Sequence, residues 1–134
     1  MLTLRRGQIN TTVLADRPLL IQDIEDYLSE FRPHIVAAYP RPYLRWVIND
    51  AVDIALGLGI DDVRMLRVFV RLRWDIAPGF YKQPDLAAVL ADRARSPVER
   101  VETLATDAYA DAWTDAERYD GPQEWRERFW VEEA

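Results

Sequence analysis

Residues 61–76, DDVRMLRVFVRLRWDI, decide the fold. At helical spacing Val63, Leu66 and Val70 make one apolar line, and Met65, Val68, Phe69, Leu72 and Ile76 make a second. A helix resting on one neighbour needs a single stripe, so two lines predict a helix covered over most of its circumference. The polar residues Arg64, Arg67, Arg71 and Asp75 recur at steps of three and four on the narrow remaining ridge. Arg73 continues the Leu66 and Val70 line; its stem is expected to pack while its head reaches water or an acid. A helix over about 62–76 at the centre of a bundle follows.

Outward from this segment the periodicity stays helical. Upstream, Gly57 and Gly59 end a helix over about Tyr43 to Leu58, with Leu44, Val47, Ile48, Ala51, Ile54, Ala55 and Leu58 on its apolar stripe. Asp61 is the expected N-cap of the central helix. Earlier still, Asp16 reads as an N-cap with Pro18 in the first turn, followed by Leu20, Ile24, Tyr27, Leu28 and Phe31. Pro33 closes that segment, and AYPRPY is a stiff connector. Downstream, Pro78 and Gly79 turn the chain, Phe80 and Tyr81 plug the end of the bundle, and a short helix runs from Asp85 to about Asp92. SPVER then offers Ser96 as N-cap, Pro97 at the first helical position and Glu99 as the closing acid of a capping box. That helix is expected to carry Val98, Val101, Leu104, Ala105, Ala108 and Ala112 inward. TDAE, from Thr114, repeats the capping pattern, and Gly121-Pro122 leads to a last helix with Trp125 and Phe129 one turn apart. No stretch alternates like a strand. The expectation is an all-α, single-domain bundle of five to six helices, residues 1–112, with an acidic, aromatic extension at 113–134.

With 134 residues and 49% apolar residues, one domain can bury a core without staples. There is no cysteine, which removes disulfides and thiol chemistry and fits a reducing cytoplasm. No apolar run reaches the roughly 20 residues of a membrane helix, and the first ten residues turn polar too early for a signal peptide. Of the net charge of −6, most lies in the last 24 residues, where eight acids face Arg118, Arg126 and Arg128. No basic face is left for phosphate, which argues against nucleic acid as a partner.

Catalytic and cofactor motifs are missing from the pattern. His34 is the single histidine, so neither a zinc site nor a nucleophile triad can be assembled around it. Ser29 and Ser96 lie outside any strained nucleophile turn, and GLG at 57–59 is a helix stop rather than a phosphate loop. Asp50 and Asp53, one turn apart, are the best carboxylate pair for hydrolysis. The favoured reading is electrostatic: they face Arg64, Arg67 or Arg71 across the helical hairpin. No enzyme, cofactor or metal site is expected. Candidate interaction residues are the ridge with its end, Arg64, Arg67, Arg71, Trp74 and Tyr81, and the aromatic tail, Trp113, Tyr119, Trp125 and Trp130. Exposed aromatics and arginines are enriched at protein interfaces.

The succession LRRGQI, YLSEFRP, YLRWVINDAVDIALGLGIDDVRMLRVFVRL, PGFYKQPDLAAVL and SPVERVETL resembles a family of small helical proteins. These are encoded in Gram-negative bacteria beside type VI secretion genes for spike, PAAR-tip and effector proteins. Ala55, Gly59, Ile60, Asp61, Phe69, Leu72, Phe80, Pro84, Leu90 and Arg100 fill the places that carry the resemblance, which covers about residues 2–110. It implies a non-enzymatic accessory role, a chaperone or adaptor that binds a secreted effector or its spike or tip partner, and carries no catalytic residues across. The alternative is an immunity protein that occludes the active site of a cognate toxin, for which an acidic, aromatic surface suits a basic cleft. A protein partner in the cytoplasm is expected in either case, and homo-oligomerisation is left open.

Overall fold

Every helix from Arg17 to Leu104 starts where a side chain or a proline resolves the unpaired N–H groups of its first turn. In the computed structural model, which describes residues 12–121, α1 (Arg17–Phe31) is capped by Asp16, whose carboxylate accepts the Leu19 N–H at 3.1 Å. The next two helices, α2 (Pro33–Ala38) and α3 (Arg41–Gly57), both open with proline in the first turn. Proline is tolerated there because its missing N–H would have no partner in any case. Pro33 therefore starts a helix as well as ending one, and α3 begins at Arg41, ahead of the expected Tyr43.

The α3 to α4 corner is built on one glycine. Gly59 has φ +82, its N–H reaches Leu56 O at 2.9 Å, and Ile60 N–H reaches Ala55 O at 3.0 Å. This left-handed closure turns Ile60 into the core. The N-cap of α4 (Val63–Asp75) is then Asp62, not Asp61: its Oδ1 accepts the N–H groups of Arg64 and Met65 at 2.9 and 3.3 Å. Burying Ile60 uses two residues before the helix can start, which moves the cap by one.

After α4 a 3-10 turn (Phe80–Lys82) leads to α5 (Pro84–Leu90), capped by Gln83 rather than started at Asp85. Ser96 caps α6 (Pro97–Leu104), accepting the Glu99 N–H at 3.2 Å. The long final helix expected from SPVER is broken: α6 ends at Leu104, a 3-10 turn covers Asp107–Tyr109, and α7 (Ala110–Ala116) follows. Ala105 and Ala108 are consequently exposed, whereas Ala112 and Ala116 are buried. Thr114 lies within α7 and donates to Ala110 O, so TDAE is no cap. Because α7 crosses position 112, the bundle runs past the expected boundary; Gly79 N–H donates to Tyr119 O at 2.9 Å. The expected last helix with Trp125 and Phe129 lies outside the described residues.

The result is an all-α single-domain bundle with α4 at its centre, touching α1, α3 and α6. Leu20, Ile24 and Leu28 from α1, Leu44, Ile48 and Ala55 from α3, and Leu66, Phe69 and Val70 from α4 form one buried cluster, continued by Phe80, Leu86, Leu90 and Leu104. Phe31 does not join it and is 53% exposed, its ring 5.0 Å from that of Tyr27. The backbone breaks at Arg32 and brings Ile35 of α2 into the core instead.

Arg73 is 0% exposed. Its Nη1 donates to Asp50 Oδ2 at 3.0 Å and its Nε to Pro78 O at 2.8 Å. Asp50 thus lies inside the α3 stripe, and the expected pairing with Arg64, Arg67 or Arg71 does not form. Asp53 instead meets Arg17 at 2.7 Å. The hairpin is rotated so that the line of Leu66, Val70 and Arg73 faces α3. Removing one partner from such a buried pair strands the other charge, at a cost of about 3–5 kcal/mol. Asp50→Ala is therefore expected to lower unfolding free energy in urea by that amount, with Asp50→Leu/Arg73→Met recovering part of it. The two glycines of the α3 terminus should separate in the same assay. Gly59→Ala forces a side chain into the left-handed region and is expected to cost about 1–2 kcal/mol. Gly57→Ala, where an added Cβ meets nothing within 4 Å, should stabilise by about 0.5 kcal/mol.

Candidate interaction surface

The arginine ridge of α4 lies against α1. Arg67 holds Asp23 through two hydrogen bonds, at 2.7 and 2.8 Å, and these keep its guanidinium above the ordinary arginine value. Arg71 donates to the Tyr27 hydroxyl at 2.8 Å and pairs with Asp75 at 3.2 Å. Asp75 in turn receives both ends of the Arg32 guanidinium at 3.0 Å, which raises the arginine's pKa through hydrogen bonding first and charge second. Arg64 turns back on its own N-cap, Asp62, at 3.4 Å. Partly exposed pairs of this kind are worth at most about 1 kcal/mol each. Their arrangement, with two planar forks matched to carboxylates, sets the rotation of α1 against α4. Glu25, which the sequence did not single out, does the same for α3: it is largely buried and accepts from Arg41 and Arg45 at 3.0 and 2.7 Å.

The aromatic candidates divide. Trp74 is half-buried, its ring 6.3 Å from that of Tyr39. Tyr81 packs on Phe69 and Phe80 at 5.7 and 5.8 Å, with the Arg73 guanidinium 5.9 Å from its ring. Both belong to the end of the bundle. Tyr119 contributes its carbonyl to the Gly79 N–H, and its ring lies 4.7 Å from the Arg118 guanidinium. Trp113 stacks on Phe80 at 6.0 Å and donates its indole N–H to Leu104 O at 2.7 Å. Trp125 and Trp130 lie outside the described residues.

Trp113 also walls a cleft of about 200 Å³ between α4 and α6. Met65, Val68 and Leu72 of α4 form one side, and Val101, Leu104 and Ala105 of α6 the other. Phe69, Phe80 and Leu90 lie beneath, and the Arg71 side chain is the charged group on the wall. Met65, Val68, Leu72, Val101 and Trp113 are half-buried, so this side of α4 is covered incompletely. The second apolar line of α4 announced the surface in the sequence, where it read as core. α6 ends at Leu104 and α7 turns away to seat Ala112 and Ala116, so among the described residues no helix covers the cleft.

No arrangement for carboxylate chemistry accompanies the cleft. Asp50 and Asp53 point to different elements, Asp50 inward to Arg73 and Asp53 outward to Arg17. Among the described residues no three His, Cys, Asp or Glu side chains lie close enough to hold a metal ion. His34 is exposed on α2. Among the described residues no helix is long and apolar enough to cross a membrane. No family model matches the chain, and comparisons with curated proteins and with solved structures found no match.

Proposed function

We propose that this protein is a non-enzymatic binding module that seats an apolar segment of a partner protein in the α4 and α6 cleft. The observation that carries the reading is the cleft itself, an apolar recess on the central helix with Trp113 and Arg71 in its wall. Aromatic and arginine anchors beside a hydrophobic groove are the elements that dominate protein interfaces, and an amphipathic helix is the ligand such grooves take. The resemblance of residues 2–110 to proteins encoded beside type VI secretion genes supports a specific setting. There the module acts as a chaperone or adaptor for an effector or for its spike or tip partner.

Ala105 offers a clean test because it is exposed and stands on the rim, so a larger side chain blocks the cleft without entering the core. Ala105→Arg is expected to reduce capture of a co-expressed effector at least tenfold, about 1.4 kcal/mol, with an unchanged melting curve. Ala88→Arg, on an exposed face of α5, should bind like the wild type. Equal binding by the wild type and the Ala105→Arg variant would remove the cleft from the interface. An effector whose toxic activity survives in the complex supports the adaptor role; inhibition of that activity by stoichiometric protein would replace it with immunity.

A further inference from the structure

We infer that the partner segment seated in the α4 and α6 cleft is acidic: its apolar anchor fills the recess while a carboxylate within one helical turn of the anchor pairs with Arg71. The inference rests on the cleft being a docking groove and adds the chemistry of what enters it. Size sets the first part. The cleft holds about 200 Å³, below the roughly 300–1,000 Å³ of pockets that enclose a whole small molecule. A cavity of about 150 Å³ is enough for one benzene ring. The recess therefore takes a single large apolar side chain, and the segment that carries it lies across Met65, Val68 and Leu72.

Charge sets the second. Among the described residues Arg71 is the one charged group in the lining. Along the ridge Arg67 pairs with Asp23 and Arg64 with Asp62, one acid for each. Arg71 has no acid to itself: Asp75, 3.2 Å from its Nε, accepts from the Arg32 fork at 3.0 Å on each oxygen. Two guanidiniums share one carboxylate, which leaves a positive charge unmatched. The hydrogen bonds tell the same story. The ridge contacts use only part of Arg71: Nη1 donates to the Tyr27 hydroxyl at 2.8 Å, and Nε makes no hydrogen bond in spite of its closeness to Asp75. Nη2 has no hydrogen-bond partner among the described residues and is open to solvent on a side chain that is 28% exposed. It presents two N–H donors beside the apolar wall, and a carboxylate is the group whose planar geometry completes such a fork. Val68 and Leu72, three residues before Arg71 and one after it, wall the recess. Anchor and carboxylate therefore stand about 5–6 Å apart, as side chains three or four residues apart on a helix do. The whole chain carries −6, a field that opposes an anion at long range. A preference for an acid over its neutral amide has to come from local pairing.

The test selects a displayed library of randomised helical peptides, about fifteen residues long, on the full-length protein and on Ala105→Trp, which blocks the rim without adding charge. Peptides that bind the wild type and fail on Ala105→Trp are expected to carry Asp or Glu three or four residues from a Leu, Phe or Trp. A selected peptide and its counterpart with the acid replaced by the amide are then titrated against the Met65 methyl signal. Met65 is the one methionine besides Met1, so the full chain has a reporter in the cleft wall. The acid should bind roughly tenfold tighter than the amide to the wild type, and the two should bind alike to Arg71→Gln, which keeps a donor for Tyr27. Equal affinities on the wild type would overturn the acidic assignment and leave the groove standing, and this comparison needs no variant to fold. A preference for the acid that persists in Arg71→Gln would overturn the role of Arg71. If no selected peptide is sensitive to Ala105→Trp, or none moves Met65, the groove reading fails and this inference with it. If phenylbutyrate alone binds as tightly as the selected peptide, the occupant is a small apolar acid and the partner segment is overturned.

Discussion

A guanidinium with no access to solvent has to be matched completely, and in this protein Arg73 imposes that condition on three elements at once. Its Nη1 requires Asp50 of α3, its Nε requires the carbonyl of Pro78 in the turn after α4, and the Tyr81 ring lies 5.9 Å away. A hydrophobic contact tolerates sliding, but these hydrogen bonds weaken steeply with angle. The pair therefore specifies the rotation of the α3 and α4 hairpin and the position of the following turn together. Once that turn is placed, Phe80 enters the core, Trp113 stacks on it, and the Gly79 N–H donates to the carbonyl of Tyr119. The cleft wall depends in this way on a charge pair that contributes no surface to it.

The same use of arginine recurs at the other end of α3. Arg100 is 3% exposed and is satisfied by main-chain carbonyls: Nη1 donates to Leu58 O at 2.8 Å and Leu90 O at 3.1 Å, and Nε to Arg95 O at 3.0 Å. Arg93 Nη2 donates to Gly57 O at 2.7 Å. Together they answer carbonyls at the α3 terminus and bind α5 and α6 to it. Positive charge there also complements the negative end of the helix dipole. A planar fork with five donors suits this task, whereas an ammonium on a flexible stem does not hold several fixed acceptors equally well. Sixteen arginines against Lys82 alone are in keeping with that structural demand.

The ridge and the apolar line of α4 have opposite fates in the fold. The polar ridge of α4, the most conspicuous candidate surface, is consumed by Asp23, Tyr27 and Asp75. The apolar line beside it, made of residues that read as core, is where the recess opens. The cleft lining includes neither Arg73 nor Asp50, so a change at Ala105 on its rim falls outside the Arg73 network.

The sequence by itself determined the helical class and several of the helix ends. Asp16, Ser96 and the Gly57 to Gly59 stop act within one turn of themselves, and the two apolar lines of α4 already placed that helix at the centre. Such signals are local, because capping and periodicity involve residues no more than four apart. Arg73 was half legible: its place in an apolar line demanded burial and a partner, but nothing local named Asp50. The tertiary structure alone decided that pairing, the seam between the arginine ridge and α1, and the exposure of Phe31. It also decided the break after Leu104, at the edge of the cleft. Each depends on the rotation of helices separated by tens of residues, where several rotations satisfy the same periodicity and only the joint packing of the core and its buried charges selects one.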